Sequence, residues 1–203
     1  MSTSDYKDAA VQFLLKPENL EVALEIDELV RDVKDKLVLE FWHALKSKVC
    51  EGQSELPAWT INLDSDKDLL KGGYAGLDCV PDIASTAQRY LKFSVEQGGG
   101  TIYQGVCWNK EMKTPFDELS KKFPELSVIR DRLQQLSKEY AKMTSWWIGW
   151  KYLNNGRGLR EKTTLLQIQR GGLPIEAAEE FLELVENMRE PVEEANSKLQ
   201  AIV

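Results

Sequence analysis

From Glu18 to Val49 the chain runs without a glycine or an internal proline, and Leu20, Leu24, Val30, Val33, Leu37, Phe41, Leu45 and Val49 recur at three-, four- and six-residue intervals between charged residues. That spacing predicts one long amphipathic helix. Pro17 is tolerated in a first helical turn, Glu18 and Glu21 suit the positive end of the helix dipole, Lys46 and Lys48 suit the other end, and Gly52 stops the run. At about 1.5 Å per residue such a helix spans roughly 45 Å, longer than most globular helices. It is therefore expected to bend or to be the spine against which a sheet packs. A shorter helix is expected before it, from Asp5 to Leu15, with Val11, Leu14 and Leu15 facing inward.

After Gly52 the pattern changes. AWTINLD (Ala58 to Asp64), RYLKFSVE (Arg89 to Glu96) and TIYQGVCW (Thr101 to Trp108) are rich in aromatic and β-branched residues and partly alternate, which reads as strands. Leu91, Phe93 and Val95 would share one face and Lys92, Ser94 and Glu96 the other, the pattern of a sheet covered on one side. Gly98-Gly99-Gly100 reads as a hairpin connection, since no Lys-Ser/Thr follows it and it opens a strand rather than a helix, unlike a phosphate-binding loop. Helices return at Thr114-Pro115, with threonine as a cap, and again at Pro124. The last, from Pro174 to Ile202, carries Phe181, Leu182, Val185 and Met188 and should kink or split at Pro191. The expected fold is α+β, a mainly antiparallel sheet packed by the long N-terminal helix and C-terminal helices. It is read as a single domain over 1–203, with a helical segment at 1–52, a sheet region at 56–113 and helices with one Trp-rich strand at 114–203.

A chain of 203 residues that is 42% hydrophobic and 29% charged can bury a substantial core. No apolar run is long enough to cross a bilayer and MSTSDYKDAA lacks the features of a leader, so a cytoplasmic protein is expected. Cys50, Cys79 and Cys107 are too widely spaced for a metal knuckle and are accompanied by one histidine, His43; free thiols, with no metal and no cofactor, are expected. The net charge of −7 disfavours general attraction to phosphate backbones and suits a protein that binds basic surfaces, although mild acidity also serves solubility.

The stretch SWWIGWKYLNNGRG, Ser145 to Gly158, holds three of the six tryptophans. Read as a regular strand, it puts Trp146, Ile148, Trp150 and Tyr152 on one face and Trp147, Gly149 and Lys151 on the other. Three uses stay open: a core filler, a protein interface, or a base-stacking platform in which Trp147 is joined by Lys151, Arg157 and Arg160; the expected binding residues are these four and Tyr152. Asn154-Asn155-Gly156 reads as a turn. His43, inside the long helix, has no serine or cysteine partner in sequence and reads as a surface histidine. Pro81-Asp82 followed by Glu111-Met112-Lys113 imitates the Pro-Asp, Glu-x-Lys order of metal-dependent nucleases, in which Asp82 and Glu111 would hold a divalent ion and Lys113 would position water. Acid-x-Lys triplets also occur at Asp5 to Lys7 and Asp32 to Lys34, so the pattern has low specificity.

The long helix with Phe41, Trp42 and Leu45 near its end, the strand pair ending TIYQGVCW, and WWIGWKYL (Trp146, Trp147, Trp150, Tyr152) before a final amphipathic helix together resemble the C-terminal half of bacterial proteins of the PD-(D/E)XK nuclease superfamily. In that family the metal-binding carboxylates lie upstream of this region, so the resemblance carries over no catalytic residue and implies recognition without cleavage. The expectation is a non-catalytic protein-binding protein, an immunity protein, inhibitor or regulatory subunit in bacterial or phage conflict, partnering a nuclease or toxin. The alternatives are a metal-dependent nuclease using Asp82, Glu111 and Lys113, and a single-stranded nucleic-acid binder.

Overall fold

The computed structural model describes residues 3–52, 59–82 and 89–200. Ala58 and Ile202, expected in a strand and on the inward face of the last helix, lie outside these. The chain forms two compact units, Met1–Leu37 and Val38–Val203. The boundary falls inside the long helix.

The first unit consists of α1 (Thr3–Leu14) and the beginning of α2 (Pro17–Gly52). The Asn19 side chain ties them, its Nδ2 donating to the Phe13 carbonyl at 2.8 Å. Here the inward facing expected of Val11, Leu14 and Leu15 is corrected: all three are exposed, and so are Leu20, Leu24, Val30 and Val33 of the apolar spacing in α2. Their spacing makes the helix, but a stripe is buried only where a second layer of structure covers it.

In the second unit α2 behaves as expected. Val38, Phe41, Trp42, Leu45 and Val49 are almost wholly buried, with the Phe41 and Trp42 rings edge to face at 5.1 Å. The sheet is an antiparallel meander in the order β1 (Trp59–Leu63), β2 (Ala75–Pro81), β3 (Leu91–Gly98), β4 (Thr101–Trp108), β5 (Trp147–Tyr152). The α+β class is as expected, and β2 is an added strand. Its small and polar members, Gly76 and Asp78 among them, gave it no strand-like composition.

Helices α5 (Pro124–Leu136) and α7 (Gly172–Gln200) pack on each other and, respectively, on β5 and β3. They cover the face that carries Leu91, Phe93 and Val95, all fully buried. Short helices α3 (Asp66–Leu70), α4 (Phe116–Lys122) and α6 (Lys162–Gln169) complete the unit. Two details differ from expectation. Thr114 does not cap α4, whose flanking position is Pro115, and Pro191 does not split α7, which runs through it as one helix. The β3–β4 connection is the expected hairpin, with Gly99 and Gly100 at φ +59° and +85°, values open to glycine at little cost.

Candidate functional site

The face of the sheet opposite α5 and α7 is neither bare nor simply solvated. β4 and β5 pair with Tyr103 opposite Tyr152, Gly105 opposite Trp150 and Cys107 opposite Trp147, while Val106 lies opposite Gly149; the register shifts between Val106 and Cys107. One extra residue on β5 at this irregularity breaks the two-residue alternation. The expected facing is therefore corrected: Trp147, Trp150 and Tyr152 lie on the same side as Cys107, Gly105 and Tyr103, and Ile148 is the residue in the core. Trp146 precedes the strand and is 46% exposed.

These rings meet at steep angles. Tyr103 lies 5.4 Å from Trp147 at 75° and 5.3 Å from Trp150 at 55°, and Trp150 lies 5.0 Å from Tyr152 at 89°. Together with Tyr74, Trp146 and residues of β3 they line a cavity of about 650 Å³. Lys92 and Glu96 reach it from β3, and Lys92 is paired with Asp78 of β2. Ser94 Oγ donates to the Glu96 carboxylate at 3.3 Å and the Tyr103 hydroxyl does so at 3.4 Å, both at the long end of hydrogen bonding. Burial pushes the Glu96 carboxyl above the ordinary glutamate value; Lys92 pulls it down and Asp78 pushes it up again. Burial also pulls at the Lys92 ammonium, but Cys107, Asp78 and Glu96 outweigh it and leave its pKa raised. Burial holds the Cys107 thiol well above its usual range.

Of the binding residues expected from sequence, Trp147 and Tyr152 line this cavity. Lys151 points the other way, its Nζ 2.6 Å from Glu180 of α7 and 5.4 Å from the centre of the Tyr140 ring. Arg157 and Arg160 are exposed beyond the turn at Asn154, Asn155 and Gly156, all three at positive φ. The sequence reading missed Tyr74, Lys92, Glu96 and Tyr103 as site residues. Lys92 and Glu96 alternate outward from β3 as read, but that alternation alone did not reveal that aromatic rings of β4 and β5 share that face and line a cavity with them.

Asp82 and Glu111 follow β2 and β4, with β3 between those strands, and both are exposed. Glu111 Oε1 accepts from Ser145 Oγ at 3.0 Å, and Lys113 is exposed. Among the described residues there is no group of three or more His, Cys, Asp or Glu side chains that could hold a metal ion. His43 sits on the surface, 2.9 Å from Asp66.

A second feature lies in the first unit. At about 100° per residue, Val22, Ala23, Ile26, Leu29, Val30, Val33 and Leu37 fall within roughly a third of the helix circumference. Ile26, Leu29 and Val33 are 52%, 63% and 58% exposed. The rest of this part of α2 is strongly acidic: Glu18, Glu21, Glu25, Asp27, Glu28, Asp32 and Asp35 stand against Arg31, Lys34 and Lys36.

Compared with protein-family models, with curated proteins and with solved structures, the chain matches none of them. None of the described helices is long and apolar enough to cross a membrane.

Proposed function

We propose that this is a non-catalytic protein-binding protein that holds its partner on the apolar stripe of α2 between Val22 and Leu37. The observation that carries this reading is the exposure of Ile26, Leu29 and Val33 at helical spacing. A continuous apolar stripe left in water is costly, and a partner helix with matching spacing removes it from solvent.

The flanks select the kind of partner. Seven acids against three bases between Glu18 and Leu37 favour an amphipathic helix with basic flanks, carried by a different protein. Two copies of the same segment would instead bring acidic flanks together. A regulator, inhibitor or immunity protein acting on a basic protein such as a nuclease or toxin fits this chemistry. The nuclease reading built on Asp82, Glu111 and Lys113 has less support, because Glu111 is engaged by Ser145 and β3 separates the strands that lead to the two carboxylates.

The test is affinity capture with cross-linking from the native host, comparing the wild type with an Ile26→Asp/Val33→Asp double variant. Both positions are exposed, so the fold should survive. The expected result is a partner lost by the variant and cross-linked to residues 18–37 through a basic amphipathic helix. A partner retained by the variant, or a wild-type homodimer in light scattering that the variant turns into monomer, would refute it.

A further inference from the structure

The cavity on the open face of the sheet has a chemistry of its own, independent of the helical stripe. Four of its rings are linked by three contacts, Tyr103 with Trp147, Tyr103 with Trp150 and Trp150 with Tyr152, inclined by 55–89° at centre separations of 5.0–5.4 Å. Rings so inclined form no pair of parallel planes between which a flat base could stack. Inclined rings do present negative π-surface from several directions to one compact positive group.

The charge on the floor agrees. Lys92 pairs with Asp78 and also acts on Glu96, so the three side chains together carry one excess negative charge, and Glu96 accepts the two long hydrogen bonds from Ser94 and Tyr103. The other titratable groups facing it are Tyr103 and Cys107 of β4, both held in their neutral forms by burial, and the phenol of Tyr74 ahead of β2. An anion placed here would face Glu96.

The molecule also supplies its own cation to the edge of this aromatic cluster. Lys142, bridged to Trp150 across the outer edge of β5, places its Nζ 3.9 Å from the centre of the Tyr152 ring and 4.8 Å from that of Trp150. Lys142 is not among the residues lining the cavity, whose volume of about 650 Å³ is of the size that small-molecule sites have.

We propose that this cavity binds an organic cation, an alkylammonium or guanidinium head on a small apolar body, with the aromatic rings around the head and Glu96 as its counter-charge. Such a head occurs on free small molecules and on lysine or arginine side chains of a polypeptide, and the probes separate these sources.

The experiment is calorimetric titration of the full chain with choline, with its neutral isostere 3,3-dimethylbutan-1-ol, and with the N-acetyl methylamides of lysine and arginine. Saturable binding of at least one cation, about tenfold or more tighter than the isostere, is expected. Choline binding tighter than both amino-acid amides points to a free small molecule, and the reverse order points to a side chain. Glu96→Gln should weaken the best cation about tenfold. Trp146→Ala, at an exposed rim position that does not threaten the fold, should weaken it several-fold. Equal affinity for the neutral isostere, no saturable binding of any cation, or unchanged affinity in both variants overturns the assignment. The Ile26→Asp/Val33→Asp variant should bind the cation like the wild type, so failure of the helical-stripe reading and failure of this one are distinguishable.

Discussion

The side-chain amide of Asn196 in α7 holds both backbone groups of Leu91 in β3: its Oδ1 accepts the Leu91 N–H at 2.7 Å and its Nδ2 donates to the Leu91 carbonyl at 3.0 Å. The β2–β3 ladder has already ended at the Cys79–Phe93 pair, so a helix side chain satisfies groups for which the neighbouring strand supplies no partner. Asn196→Ala should leave a buried donor and a buried acceptor unpaired. The expected loss is about 2–4 kcal/mol in urea unfolding. A loss within experimental error would mean that the helix and strand relax to pair these groups elsewhere.

Gly105 stands opposite Trp150, and a Cβ at Gly105 would lie 2.1 Å from the Gly149 carbonyl oxygen and 2.8 Å from the Trp150 Cα. Both are backbone atoms and cannot swing aside. Gly105→Ala should part β4 from β5 and cost about 1–3 kcal/mol or more. It should also weaken the near-ultraviolet circular dichroism of the coupled Tyr103, Trp147 and Trp150 rings. A spectrum and stability like those of the wild type would contradict the close approach.

The two stretches of α2 should respond differently to truncation. Phe41→Ala removes a fully buried ring and should cost about 3–5 kcal/mol. Ile26→Ala, at a position 52% exposed, should change the stability of the purified chain by no more than about 0.5 kcal/mol. Chemical denaturation of both variants checks this. A large loss at Ile26 would show that its stripe is already covered in the isolated protein.

Glu96 sets a pH dependence. Its pKa in the fold is raised, first by burial, above the ordinary 4.5. A raised acid contributes its stability in full below its unfolded pKa, and that contribution is lost as pH rises through the folded value, because the folded chain must then carry a poorly solvated charge. Glu96→Gln should therefore melt higher than the wild type at pH 7, and the difference should shrink towards zero below about pH 4.5. Melting curves between pH 3.5 and 8 test the sign. A variant that melts lower at pH 7 would mean that the bonds from Ser94 and Tyr103 outweigh the cost of burial.

Much of the fold was legible from local pattern. The uninterrupted apolar spacing predicted α2, TIYQGVCW coincides with β4, and Leu91, Phe93 and Val95 alternate into the core as read. β2 escaped because its strand conformation comes from pairing on both edges rather than from the composition of its residues. The facing of Trp147 and Trp150 escaped for a related reason. A bulge is a property of two strands together, and a single strand's alternation carries no trace of it.

The sequence by itself determined which segments become helix and which become strand over most of the chain, because backbone preference and hydrophobic period act over a few neighbouring residues. Only the tertiary structure decided which apolar faces are covered and which groups polar side chains meet: Val38 to Val49 buried but Ile26 to Val33 exposed, Glu96 beside aromatic rings in one cavity, Lys151 turned to Glu180. Periodicity tells a residue which side of its own element it occupies. Whether anything lies on that side depends on parts of the chain far away in sequence.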